Sequence, residues 1–154
     1  MLKYFKENHL VNYVTEQPKD WQEAIRVSCQ QLVNQGYITE EYIEEIVENV
    51  VKFGPYIIIA DQIAMPHAEG NSPGVKGTAI AYTKFPNEVI FHDAETGEDR
   101  PATLFFTLAA EDAEAHLNNI TQLMDLLMEE ENVDAMLATK TLEDFDKLLI
   151  EEGK

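Results

Sequence analysis

The stretch Phe53–Gly70, FGPYIIIADQIAMPHAEG, closes a helical pattern, starts a strand and leads to a histidine. Gly54-Pro55 breaks the helical pattern, and the apolar run Tyr56–Ala60 has the composition of a buried strand. Pro66 fixes its own backbone angle and biases the residue before it towards extended geometry. The stretch therefore predicts a strand and a stiff connection that present the imidazole of His67 at the edge of a polar loop.

Helical patterns precede this stretch. Residues 1–9 favour a short helix. Asp20 is a predicted N-cap with Glu23 at the capping-box position, and the helix it caps is expected to run to Gly36. Thr39 is expected to cap the next helix, whose apolar stripe has helical spacing and consists of Ile43, Ile46, Val47, Val50 and Val51.

The middle of the chain has strand patterns, and helical patterns return after it. Besides Leu10–Val14, expected at a sheet edge, the strand-like segments are Tyr56–Ala60, Gly77–Phe85, Val89–Phe91 and Ala102–Ala109. Glu111 or Asp112 can cap a helix with the stripe Leu117, Ile120, Leu123, Met124 and Leu127. A short helix over Val133–Ala138 and a last one capped by Thr141 and Asp144 come next. Residues 1–154 thus predict one α/β domain, a sheet of about four or five strands flanked by helices.

The charge is far from balance. The 154 residues include 29 acidic and 11 basic side chains, a net charge of −18. Such a surface repels phosphate backbones, so we expect no nucleic-acid partner. It attracts a basic partner or serves solubility alone, and the charge does not separate these two interpretations.

Cysteine content and hydropathy indicate the compartment. The one cysteine, Cys29, falls in a helical pattern and excludes a disulfide framework. The N-terminal residues show no signal-peptide pattern, and no apolar run reaches the ~18 residues of a membrane span. We expect a cytoplasmic protein.

Three histidines lie near the ends of predicted strands or helices, where ligand sites form. His67 is a candidate nucleophile or base, although a loop histidine bonded to a carbonyl is the commoner explanation of its local sequence. His116 falls near the start of a helix, a suitable place to meet a phosphoryl group or simply a helix boundary. His92 precedes Asp93 in a segment that favours a turn.

Other site signatures are absent from the sequence, including a phosphate loop, GxGxxG, GxSxG and HExxH. A zinc site from His67, His92, His116 and an acid would require the fold to bring them together. We therefore expect no metal and no cofactor.

Several segments together resemble one family. Lys52–Tyr56 and Ile63–Ala68, then Leu108–Ala110, Asp112 and His116-Leu117, resemble the IIA components of the bacterial phosphoenolpyruvate:sugar phosphotransferase system. The chain is similar to the fructose–mannitol type (EIIA type 2) over nearly its whole length, and most similar to ascorbate-specific IIA proteins. Asp20–Ala24 and Phe91–Asp93 resemble further family segments.

The resemblance implies a phosphotransferase component with a mixed, mannitol IIA-like sheet. His67 would accept a phosphoryl group from phospho-HPr and donate it to a cysteine of a IIB protein. His116 would be the second active-site histidine. HPr and IIB would bind transiently, and the membrane component IIC would take part indirectly. A regulatory phosphorylation sensor without its own transporter is the alternative, and a symmetric dimer is the default oligomer.

The chain departs from the family at the phosphate contacts. Mannitol and fructose relatives use an arginine upstream of the histidine, whereas this chain has Val50–Phe53 there, with Lys52 as a substitute that lacks the bidentate fork. Ascorbate-type relatives often have an arginine after the PHA element, where this chain has Glu69. The roles of Lys52, Glu69 and His92 stay open, and the ascorbate-type substrate rests on analogy.

Overall fold

The computed structural model describes residues 1–68 and 72–152. In chain order the elements are α1 (Leu2–Glu7), β1 (Val11–Tyr13), α2 (Trp21–Asn34), α3 (Glu40–Phe53), β2 (Ile58–Ala60), β3 (Gln62–Ala64), β4 (Ala79–His92), β5 (Asp99–Ala109), α4 (Ala113–Leu127), α5 (Glu130–Ala138) and α6 (Leu142–Glu152). Along these residues no helix combines the length and apolarity needed to cross a membrane.

The strands form one mixed sheet in the order β1-β4-β5-β3-β2. β1 pairs in parallel with β4, and β3 in parallel with β5, whereas β4–β5 and β2–β3 are antiparallel. This confirms the predicted α/β class with a five-stranded mixed sheet flanked by helices. The predicted strand at Leu10–Val14 lies at the sheet edge, as expected.

Two strand predictions were wrong in their boundaries. The run Tyr56–Ala60 is not one buried strand: β2 begins only at Ile58, and the chain reverses at Asp61 into β3. Because β2 is an edge strand, its last two residues are exposed. The segments Gly77–Phe85 and Val89–Phe91 form a single strand, β4. Its register shifts between Lys84 and Val89, next to Pro86, which has no N–H to give to the ladder.

The predicted helix caps at Asp20 and Asp112 agree with the sequence, whereas Thr39 lies at the N-cap position of α3 without a side-chain cap bond. Two predicted helix faces were wrong at one member each, and the first is Val51 of the α3 stripe, which is 69% exposed. The side chains of Asp20 and Asp112 accept hydrogen bonds from the amides of Glu23 and Ala115 and begin α2 and α4. The predicted α4 stripe was wrong at its first member, because Leu117 is 64% exposed. The buried face instead includes Asn119, whose amide donates to the Ala109 carbonyl at 3.0 Å. The buried face of α4 thus includes a satisfied polar group that the apolar pattern did not predict.

The segments that follow β3 and β5 meet at one edge of the sheet. Beyond β3, the chain from Met65 to Ala68 continues alongside β5, and the amide of Leu108 donates to the Pro66 carbonyl at 2.9 Å. β5 itself leads through Asp112 into α4. Because β3 and β5 are parallel neighbours, the segments after their carboxyl ends meet at the same edge of the sheet.

Candidate functional site

The two segments bring His67 and His116 together. Their ring centroids lie 5.3 Å apart, and the ring planes are inclined by 37°. Both side chains are half-buried. Each histidine comes after the end of one of two parallel strands, so the pairing results from the sheet topology.

The protonation of His67 can be assigned from its hydrogen bond. Nδ1 of His67 lies 2.6 Å from the carbonyl oxygen of Met65. Since a carbonyl only accepts, Nδ1 must be the protonated nitrogen, and Nε2 then has the free lone pair in the neutral ring. The hydrogen bond fixes the ring while leaving one nitrogen able to act as a nucleophile.

His67 and His116 border a pocket of about 550 Å³. The other described residues along its wall are Asn49, Phe53, Tyr56, Ala68 and Ala113. Phe53 is 65% exposed, so the rim of the pocket has an apolar side chain in contact with solvent. Among the described residues that line this pocket, none is a lysine or an arginine. An anion in the pocket would have to be held there by neutral donors and by the imidazoles.

One face of α3 packs against the residues that follow β3 and include His67. Tyr42, Glu45, Asn49 and Phe53 recur at helical spacing, and each of them contacts Ala68 or Ser72 or borders the His67 pocket. The Tyr42 hydroxyl donates to the Leu108 carbonyl at 2.7 Å and accepts from the Ala68 amide at 3.1 Å. Ser72 donates to Glu45 at 2.6 Å. We call these four α3 residues the clamp face.

Replacing Tyr42 with phenylalanine should loosen the segment after His67. The variant leaves the Leu108 carbonyl and the Ala68 amide without this partner in a buried place, and each unsatisfied buried group costs about 1–3 kcal/mol. We expect thermal or denaturant unfolding to show a loss of about 2–4 kcal/mol.

Tyr37→Phe is the matched control for this variant. The Tyr37 ring lies against Gly77, and its side chain makes no hydrogen bond to residues 65–68 in the described chain. Equal stabilities of the two variants would contradict the role assigned to the Tyr42 hydroxyl.

Both imidazoles favour the neutral form. Burial lowers the pKa of His67 below its usual 6.5, and the neighbouring His116 lowers it further, against the opposing effect of the Met65 carbonyl. Burial also lowers the pKa of His116. At pH 7 the site therefore contains two neutral rings, and Nε2 of His67 is unprotonated.

These shifts predict the titration of the pair. In NMR titrations, the ring protons of His67 and His116 should show midpoints below 6.5, the value of an unperturbed histidine. Substitution of His116 with glutamine should raise the His67 midpoint, because a neighbouring positive charge is removed. As the unfolded chain takes up these protons first, the contribution of this pair to stability should fall as pH drops through about 6.5 and stay constant above it. A His67 midpoint at or above 6.5 would rule out this electrostatic description.

The other predicted residues lie outside this pair. Nδ1 of His92 bonds to Asp99 across the β4–β5 ladder at 3.0 Å, and not to its sequence neighbour Asp93. Within residues 1–68 and 72–152, no three His, Cys, Asp or Glu side chains are grouped as metal ligands. The zinc site considered from sequence is therefore not assembled there. Cys29 is buried in the core.

The sequence raised Lys52 and Glu69 as residues that could affect a phosphoryl group on His67. Nζ of Lys52 lies 5.2 Å from the centre of the Phe53 ring, and Lys52 lines a neighbouring groove rather than the His67 pocket. Glu69 lies outside the described residues. Sequence reasoning missed Asn49, Phe53 and Tyr56. The spacing of four between Asn49 and Phe53 could have placed both on one helix face.

Known proteins share this architecture. Residues 4–152 match the family described as "Phosphoenolpyruvate-dependent sugar phosphotransferase system, EIIA 2". The mannitol-specific cryptic phosphotransferase enzyme IIA component of Escherichia coli K12 is 37% identical over 138 residues, which cover 90% of this chain and 89% of that protein. The solution structure of the E. coli protein of that name superposes with a TM-score of 0.79 at 34% identity, covering 94% of each chain.

Two further similarities concern substrate and partner. The ascorbate-specific EIIA component of E. coli K12 is 34% identical over 123 residues, which cover 79% of this chain and 77% of that protein. The IIA domain in the E. coli complex of mannitol IIA with phosphorylated mannitol IIB superposes with a TM-score of 0.72 at 24% identity, over 91% of this chain and 94% of that one. At this identity, the similarity to the IIA domain of that complex shows a shared fold alone.

Proposed function

Because this chain belongs to the phosphoenolpyruvate-dependent sugar phosphotransferase system EIIA 2 family, we propose that it carries a phosphoryl group on Nε2 of His67. It would receive the group from phospho-HPr and donate it to a cysteine of a IIB protein. Membership of the family makes the chain a component of a sugar phosphotransferase system. The histidine carrier and its partners are the proposal.

One observation carries the proposal. The bond from Nδ1 of His67 to the Met65 carbonyl leaves Nε2 as the nucleophile, in a pocket that His116 also lines. Phosphoryl transfer asks little of a protein beyond a positioned nucleophile and donors for the equatorial oxygens. His67 provides the nucleophile, and His116 is one candidate donor to the equatorial oxygens.

The two transfers balance without a cofactor. In the first, the lone pair of Nε2 forms an N–P bond while the N–P bond to the HPr histidine breaks, and that histidine keeps the bonding pair. The proton on Nδ1 stays there throughout, donated to the Met65 carbonyl. In the second, a cysteine thiolate of IIB forms an S–P bond, the Nε2–P bond breaks, and its electron pair returns to Nε2.

The charge of the chain suits such partners. A net charge of −18 favours encounters with proteins that present basic groups around their own reactive residue. The E. coli mannitol complex is one in which a IIA domain binds phosphorylated IIB, and we propose the same kind of partner here. We also propose that these exchanges take place in the cytoplasm.

Two substrates are candidates for the associated transporter. The ascorbate-specific relative supports an ascorbate-type system. The cryptic mannitol relative, with the higher identity of 37%, supports a mannitol-type one. IIA chemistry is the same in both, so the cognate IIB protein decides between them.

The test is phosphoryl transfer with defined components. With phosphoenolpyruvate, Enzyme I and HPr, the protein should take up one acid-labile phosphoryl group, and NMR should identify the Nε2 phosphohistidine. Transfer to a panel of IIB proteins should then be fastest with one of them. No labelling, or labelling on Nδ1, would refute the mechanism. Labelling without transfer to any IIB protein would favour a regulatory sensor.

A further inference from the structure

The pocket leaves a charge to be compensated. A phosphoryl group on Nε2 of His67 would place oxygens with nearly two negative charges in it, and no lysine or arginine is among its described lining residues. Buried or half-buried anions need hydrogen-bond donors. Of the described side chains on the pocket wall other than His67, Asn49 and His116 have N–H groups to give.

The neighbouring Tyr56 favours one orientation of the Asn49 amide. The Tyr56 hydroxyl donates its single proton to the carbonyl of His67. Asn49 and Tyr56 both border the pocket. The Asn49 side chain opposes the rise in the Tyr56 pKa to about 12, which is caused mainly by burial. With its proton already donated, the hydroxyl can only accept, so an Asn49 amide turned towards it would present its NH₂ group.

An amide NH₂ has two hydrogens. If one faces the Tyr56 hydroxyl, the second remains available on the side of the pocket that Asn49 lines. Tyr56 is itself fixed by the His67 carbonyl and by an edge-on contact of its ring with the His67 ring, with 5.3 Å between centroids. Tyr56, which borders the pocket beside Asn49, is therefore attached to the residue that would carry the phosphoryl group.

We propose that the side-chain amide of Asn49 donates a hydrogen bond to the phosphoryl group on His67 and stabilises its transfer. The inference rests on the proposed function and deepens it. Asn49 comes from α3, whereas His116 and Ala113 come from α4. Donors from two separate elements would contact the equatorial oxygens, and a neutral amide would serve where the pocket has no guanidinium.

The test measures kcat/KM for labelling by phospho-HPr in single substitutions. Asn49→Ala should lower it about 10- to 100-fold, the range of one hydrogen bond to a charged group. Asn49→Asp keeps the size but replaces the donor with a carboxylate, and it should lower the rate further. Asn118→Ala, an exposed asparagine on α4, should leave the rate unchanged.

Two outcomes separate a phosphoryl contact from a supporting role. Tyr56→Phe removes the hydroxyl and keeps the amide, so its loss should be smaller than that of Asn49→Ala. Equal losses, with no further loss in the double variant, would assign Asn49 to holding Tyr56 and overturn the proposal. So would an Asn49→Ala or Asn49→Asp rate within twofold of the wild type.

Failure of the premise has a different signature. If the wild-type protein takes up no phosphoryl group, the proposed function is wrong. If the wild type is labelled on Nε2 and the Asn49 variants are labelled equally fast, only the inference about Asn49 is wrong.

Discussion

Substitution of His67 with glutamine should abolish labelling by phospho-HPr. Glutamine keeps a similar length and an amide N–H that can donate to the Met65 carbonyl, but it has no nitrogen with a free lone pair. Loss of a covalent nucleophile removes the reaction path itself, so we expect a fall of more than about 1000-fold in the initial rate. The measurement is uptake of phosphoryl label with phosphoenolpyruvate, Enzyme I and HPr.

His92→Gln is the matched control. His92 is exposed and bonded to Asp99, and it does not line the His67 pocket. An exposed pair of this kind contributes little to stability, so the control should fold normally and be labelled at the wild-type rate. Full labelling of the His67 variant would reject His67 as the acceptor.

Substitution of His116 with alanine should slow labelling about 100- to 1000-fold, the usual effect of removing one preorganised donor. His116 is half-buried at the start of α4, so the free energy of unfolding should change by no more than about 1 kcal/mol. The kinetic loss would thus exceed the loss of stability. Stopped-flow or quenched labelling at saturating phospho-HPr, together with thermal unfolding, would measure both.

His116→Gln tests the reason for this loss. Glutamine retains an N–H donor near the position of the imidazole, so its rate should fall between those of wild type and His116→Ala. If His116→Ala is labelled at the wild-type rate, His116 has a structural role only. If both variants are equally slow, the imidazole ring itself is needed rather than a donor.

Local rules were sufficient for the parts of the fold that depend on neighbours in sequence. Asp20 and Asp112 cap their helices because a carboxylate three residues before a free amide makes the same bond in most contexts. The α/β class was predictable from helical and strand patterns. The pairing of His67 with His116 came from a family resemblance, since no local pattern relates residues 49 positions apart.

The remaining features depend on contacts that the sequence does not display. Leu117 is exposed because the buried face of α4 is centred on Asn119, Leu123 and Leu126, and residue 117 lies about 200° round the helix from Asn119. Asn119 can be buried because it bonds to the Ala109 carbonyl, a partner from another element. The strand predicted from Tyr56 begins only at Ile58, because the chain is still in a turn there and the Ile58 amide donates to the Pro55 carbonyl. No sequence pattern marks Asn49 as a phosphoryl contact, because it borders the His67 pocket only through the packing of α3.

The clamp face limits where insertions and deletions can be tolerated in the chain. Each residue added to an α-helix rotates the rest of the helix by about 100°. A one-residue insertion between Tyr42 and Phe53 would therefore carry Asn49 or Phe53 away from the pocket while every motif around His67 stayed intact. The exposed hairpin around Gly97 has no such constraint. Functional relatives should tolerate length changes in that hairpin and keep the eleven-residue interval in α3, even where the side chains along it differ.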